Sequence, residues 1–158
     1  MRDLIVFLEG PIPSAALATS YNSALVILSY IVASIAAYTA VDFATRMRES
    51  RAATGSGLGW LLGGAFAMGA GIWCMHFVAM LAYRLPIPVR YDLGTTLLSL
   101  VFAILISGFA LIVVSRRSLT FARLAAGGAV MGIGLCTMHY TGMIALRLDA
   151  LIVYRPGF

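Results

Sequence analysis

Cys136-Thr137-Met138-His139-Tyr140-Thr141-Gly142-Met143 lies in a long apolar run and holds one of the two histidines of the chain. The other stands in Trp73-Cys74-Met75-His76-Phe77-Val78-Ala79-Met80. Both runs read Met-His-aromatic, and in both a second Met follows four residues after the His. Neither run contains Asp, Glu or Arg. In lipid an unpaired polar ring is costly, so each histidine marks a candidate functional site.

Working outward, the two runs belong to an internal repeat. A shift of 63 positions (139 − 76) superposes Leu61 on Leu124, Gly64 on Gly127, Met68 on Met131, Gly69 on Gly132, Gly71 on Gly134 and Arg84 on Arg147. Upstream, Tyr21-Asn22 echoes Tyr91-Asp92, and Leu28-Ser29 echoes Leu98-Ser99. Tyr154 again follows Tyr91 by 63 positions (154 − 91). The units are therefore a lead-in over 1–20, interfacial or extramembrane and broken by Gly10-Pro11-Ile12-Pro13; a first two-helix repeat over 21–90 with His76; a second over 91–153 with His139; and the start of a truncated third over 154–158.

Composition fixes the class. The 158 residues are 61% hydrophobic and 11% charged, with mean hydropathy +0.97. A soluble domain is nearer one-half apolar and one-quarter charged. Four apolar stretches, about 22–43 (uncharged before Asp42 at its far end), 58–83, 93–114 and 124–146, each reach the ~20 residues a bilayer requires. Residues 46–57, with Arg46, Arg48 and Arg51, read as a polar loop between the first two. Gly59-x-x-x-Gly63 and Gly128-x-x-x-Gly132 offer small residues for close helix approach. The expected fold is an all-α integral membrane protein of four transmembrane helices, arranged as two tandem helical-hairpin repeats.

The net charge is +5 and every basic residue is Arg, placed at segment ends rather than in a patch. That pattern suits anionic lipid headgroups, not nucleic acid. Cys74 and Cys136 both lie inside apolar runs, so no structural disulfide is expected. With no nucleophile–base set, P-loop or carboxylate pair, no enzyme activity is expected. The loops at 43–57 and 115–123 carry six Arg against five on the opposite side, which Asp and Glu dilute further. The positive-inside tendency places those loops in the cytoplasm and both termini outside.

Two helices per repeat is an even number, so both repeats cross the membrane in the same sense. Their pseudo-symmetry axis runs along the membrane normal, and His76 and His139 come to similar depth. At 100° per residue, Met80 shares a face with His76 and Met143 with His139, whereas Met75 and Met138 are turned away. Two imidazoles and two thioethers suit copper, Cu(I) especially. Met75, Met138 and Tyr140 are alternative partners. Two other readings stand beside this one: a bis-His haem b protein for electron transfer, and a non-sensory bundle whose histidines pack or hydrogen-bond between helices.

Met138-His139-Tyr140-Thr141 resembles the signature of the MHYT domain, a bacterial integral-membrane sensor domain, and Met75-His76-Phe77-Val78 is similar to a degenerate copy. The Gly-rich helices and Arg84-Leu85-Pro86-Ile87-Pro88-Val89-Arg90-Tyr91-Asp92 extend the resemblance from Tyr21 to the C-terminus. It implies a multi-pass sensor in the bacterial inner membrane. In that family a copper site of the motif Met, His and Tyr would take oxygen, carbon monoxide or nitric oxide. Family members usually carry three motif copies and are often fused to cyclic-di-GMP or other output domains. This chain shows two copies and no output domain, so self-association or a partner membrane or signalling protein is expected.

Overall fold

The computed structural model describes residues 6–7, 20–116, 120–147 and 153–154. The elements run β1 (Val6–Phe7), β2 (Ser20–Tyr21), α1 (Ser23–Thr54), α2 (Leu58–Ala82), β3 (Tyr83–Arg84), β4 (Arg90–Tyr91), α3 (Leu93–Val114), α4 (Phe121–Ile144), β5 (Leu146–Arg147) and β6 (Val153–Tyr154). Most of the lead-in 1–20, and 155–158 of the truncated unit, lie outside the described residues.

All four helices are long and apolar enough to cross a membrane. Their starts follow from side-chain caps. Asn22 accepts the Ala24 amide, Asp92 accepts the amide and hydroxyl of Thr95, and Thr120 accepts the Arg123 amide. The Thr95 hydroxyl and amide, with Arg147 at 3.8 Å, hold the Asp92 carboxyl below its ordinary value. α4 thus begins at Phe121 rather than near residue 124, because Thr120 supplies the cap.

The larger correction concerns residues 46–57. Residues 46–54 are helical, since α1 continues to Thr54, and only 55–57 are left as the connection to α2. At ~1.5 Å per residue its 32 residues reach about 48 Å, well past a hydrocarbon core of ~30 Å. Hydropathy sees only the polar end, but Ala, Arg, Met and Glu are good helix formers. Arg46 pairs with Asp42 one turn back at 2.7 Å and lies over the Trp60 ring. Met47 is buried, and Arg48 donates to the Val114 carbonyl at the end of α3. The helix stops where Gly55 takes a left-handed conformation, φ 73°, that an L side chain resists.

Each hairpin is closed at the opposite end by a short antiparallel strand pair. β2 pairs with β3 (Ser20 opposite Arg84), and β4 pairs with β5 (Arg90 opposite Arg147). Parallel to these, the Asn22 amide donates to the Ala82 carbonyl and the Asp92 amide to the Ala145 carbonyl, both at 2.8 Å. β1 and β6 pair in parallel.

Within each hairpin the same positions touch. A Cβ on Gly71 would meet the Ala36 Cβ, and one on Gly134 would meet Ile106. Likewise Gly64 faces Phe43, and Gly127 faces Val113. First helices superpose with a shift of 70 (91 − 21), second helices with 63. Between hairpins, α2 packs on α3. Gly69 lies against the backbone of Ala103 and Ile104, Gly64 against Leu111, and Ala65 against Gly108. Gly59, Gly128 and Gly132 have no neighbour within 4 Å of a built Cβ. Of the first Gly-x-x-x-Gly match only Gly63 meets a neighbour, the Phe43 ring at 3.2 Å; the second match meets none, and on α4 Gly127 and Gly134 mark the contact face instead.

Candidate metal centre

The strand-closed end of the bundle holds both histidines, each within roughly two turns of its helix end. α2 is held against α3 by Trp73, whose indole Nε1 donates to Ser99 Oγ at 3.0 Å and to the Thr96 carbonyl at 3.3 Å. The Trp73 ring lies 4.6 Å from Phe77, and Phe77 lies 5.7 Å from Tyr91. His76 projects from the same stretch and is half-buried.

From α4, the exposed His139 meets it: the imidazole centroids are 4.9 Å apart at an interplanar angle of 72°. The Tyr140 ring is 5.5 Å from His139, and the Phe77 ring is 5.4 Å from His76. The repeat therefore brings two histidines 63 positions (139 − 76) apart in sequence into contact. His76 Nε2 is buried and has no hydrogen-bond partner. An orphaned nitrogen beside a second imidazole is what an ion-binding pair presents before an ion is added, and it is costly otherwise.

The other expected site residues divide. Met75, Met80 and Met143 are half-buried, and Tyr140 is 55% exposed. Met138, next to His139, is only 4% exposed and packs into the bundle. Cys74 and Cys136 are free, exposed thiols. Among the described residues no group of three or more His, Cys, Asp or Glu comes together. Any ion held here by more than two side chains therefore draws on thioether or phenol donors.

Gly142 is the residue that sequence reasoning missed. It is buried, and a Cβ built there would lie 3.1 Å from His76 Nε2 and 3.5 Å from its Cδ2. A side chain there would press on the orphaned nitrogen, and glycine spares it that contact. The available signal was a break in the repeat, since the counterpart of Gly142 is Ala79. If the histidine pair holds copper, Gly142→Ala is expected to weaken its affinity by ~10-fold, the lower end for residues that orient a ligand, while leaving the helical spectrum unchanged. Titration of the variant with Cu(I) against a competing chelator checks this.

Four apolar helices in two tandem hairpins, each bringing one histidine to a shared point, define a multi-pass membrane protein. The chain belongs to the MHYT family: the model described as "Bacterial signalling protein N terminal repeat" matches residues 69–127 and 132–158. It is 54% identical over 140 residues to the bifunctional diguanylate cyclase/cyclic di-GMP phosphodiesterase MucR of Pseudomonas aeruginosa, covering 89% of this chain and 20% of that protein. It is 38% identical over 150 residues to the cyclic di-GMP phosphodiesterase NbdA of the same organism, covering 94% and 19%. With the signaling protein YkoW of Bacillus subtilis it shares 34% over 140 residues, covering 87% and 17%. The chain thus spans at most 20% of the length of these relatives. No solved structure matches it.

Proposed function

We propose that the chain is a membrane-embedded sensor domain that binds copper through His76 and His139. The observation that carries this reading is the 4.9 Å pairing of the two rings with His76 Nε2 left buried and unpartnered. Met80 and Met143, one turn beyond each histidine, would complete a soft donor set, with Met75, Met138 and Tyr140 as alternates. When bound, reduced copper supplies an ion able to take oxygen, carbon monoxide or nitric oxide. In this reading His76 and His139 would supply two neighbouring imidazoles, and the bare Gly142 would leave room beside His76 Nε2.

The ring contact favours a single ion over haem b. A haem clamped by two histidines needs its flat macrocycle between them, and rings in edge contact at 4.9 Å do not leave that gap. It also weighs against a packing pair, since no hydrogen bond satisfies His76 Nε2. Metal analysis of gently purified protein tests the choice: copper without a Soret band is expected, a Soret band would assign haem, and neither would assign packing.

Among the relatives, the names of MucR and NbdA speak of cyclic di-GMP synthesis or breakdown. We infer that this domain passes its signal to an output of that kind. The proposed setting is the bacterial inner membrane with periplasmic termini, which puts the histidines toward the outer leaflet. The α1 extension carrying Arg46, Arg48 and Arg51 then projects into the cytoplasm. Ser50→Cys, in a chain whose Cys74 and Cys136 are replaced by Ser, is expected to resist an impermeant maleimide added to intact cells. Ready labelling would invert the topology.

A further inference from the structure

We propose that Trp73 is a positioning residue for His76: its indole, clamped to α3, fixes the imidazole through the ring of Phe77. The clamp bears on the function proposed above only where His76 is a metal ligand, and in that reading it pre-sets one of the two imidazoles.

The acceptor is preset by α3 itself. Ser99 Oγ is fully buried and donates to the Thr96 carbonyl at 2.7 Å. Ser29, its counterpart in α1 by a shift of 70 (99 − 29), donates to the Val26 carbonyl in the same way, also at 2.7 Å. A serine that bonds back to its own helix is thus part of the repeat. With its proton committed, the Ser99 oxygen offers only lone pairs. The Trp73 Nε1–H donates to it at 3.0 Å, with the Thr96 carbonyl as a second acceptor at 3.3 Å. An indole N–H in an apolar interior needs such a partner, because leaving it unpaired is costly. The clamp belongs to the first hairpin: on α4 the position of Trp73 is taken by Cys136, 63 residues on (136 − 73).

From the clamp the constraint runs along one side of α2. Phe77 follows Trp73 by four residues, and the two rings pack with centroids 4.6 Å apart. Phe77 also lies 5.7 Å from Tyr91 at 64°, and it meets His76 edge-on at 5.4 Å and 82°. Held between Trp73 and Tyr91, the Phe77 ring forms one wall of His76. The other neighbours are His139 at 4.9 Å and the bare Gly142. His76 is therefore held in place by the chain before any ion arrives.

Histidine resonances test this directly. Protein labelled with 13C at histidine Cε1 gives one signal for each of the two histidines, assigned with His76→Ala and His139→Ala. In the metal-free chain Trp73→Phe keeps a ring but removes the N–H. It is expected to shift or broaden the His76 signal while the helical spectrum stays unchanged. Ser99→Ala leaves the indole in place and removes its nearer acceptor; it should move the same signal, and serves alone if Trp73→Phe does not fold. Trp60→Phe, at the far end of α2, should move neither signal. Cu(I) affinity by chelator competition should fall ~10-fold in Trp73→Phe, within the range for residues that orient a ligand. Adding Ser99→Ala to Trp73→Phe should cost nothing more, because both break one bond. A His76 signal untouched by both variants would overturn the proposal, whether or not the chain holds copper. So would a shift in Trp73→Phe with none in Ser99→Ala, which would assign the effect to ring bulk. A native chain that takes no copper would instead overturn the metal-centre reading, with the His76 signal still deciding whether Trp73 places the ring.

Discussion

Gly69→Ala is expected to destabilise the bundle by ~1–3 kcal/mol, as overpacking of a tight contact does, while Gly132→Ala, its repeat counterpart, leaves the single chain unharmed. A Cβ at Gly69 would lie 2.6 Å from the Ile104 Cα and 2.7 Å from its amide nitrogen. Those are backbone atoms, so no side chain can turn away; α2 and α3 must separate. In lipid, where apolar exposure drives little, close packing is what holds helices together. Alanine is also the better helix former, by ~0.8–1.0 kcal/mol. That gain offsets part of the loss at Gly69 and is uncompensated at Gly132, which meets nothing within 4 Å. Thermal unfolding of both variants in dilute detergent, followed by helical circular dichroism, checks the pair. Equal midpoints would contradict the α2–α3 packing on which the position of His76 depends.

This contrast shows what was legible in the chain. The hairpin repeat could be read from Leu61/Leu124 through Arg84/Arg147, because identical side chains recur where identical contacts recur. It also led to the meeting of His76 with His139, since equal depth follows from repeat parity. Which glycines pack was not legible. Gly128 and Gly132 have a helix-packing spacing, but spacing names a face and not its occupant. The α1 extension was hidden because hydropathy reports the membrane boundary, whereas Arg46, Met47 and Arg48 are held by local partners past that boundary. The strand pairs are two residues long, too short for any alternating pattern to show. Gly142 announced itself only as one mismatch in the repeat.

The second large effect concerns the histidines. His139→Ala is expected to abolish copper binding, and His76→Ala nearly so, because one helix supplies too few donors to hold an ion alone. Removal of either also relieves the crowding of two polar rings in an apolar bundle, so both variants should fold. The methionines then sort the donor set. If the helical face decides, Met80→Leu and Met143→Leu weaken binding more than Met68→Leu or Met131→Leu, which lie two turns from the rings. If the motif itself decides, Met75→Leu and Met138→Leu are the damaging pair. Met138→Leu carries a packing cost of its own, since Met138 is 4% exposed. Its effect on binding must therefore be compared with its effect on thermal stability.

The most direct test is copper stoichiometry per folded chain, measured by elemental analysis after anaerobic Cu(I) loading and removal of excess, for the native chain, His76→Ala and His139→Ala side by side. The expected result is one copper for each native chain and almost none for either variant. Full copper occupancy in both variants would contradict the assignment of the histidine pair as the metal site.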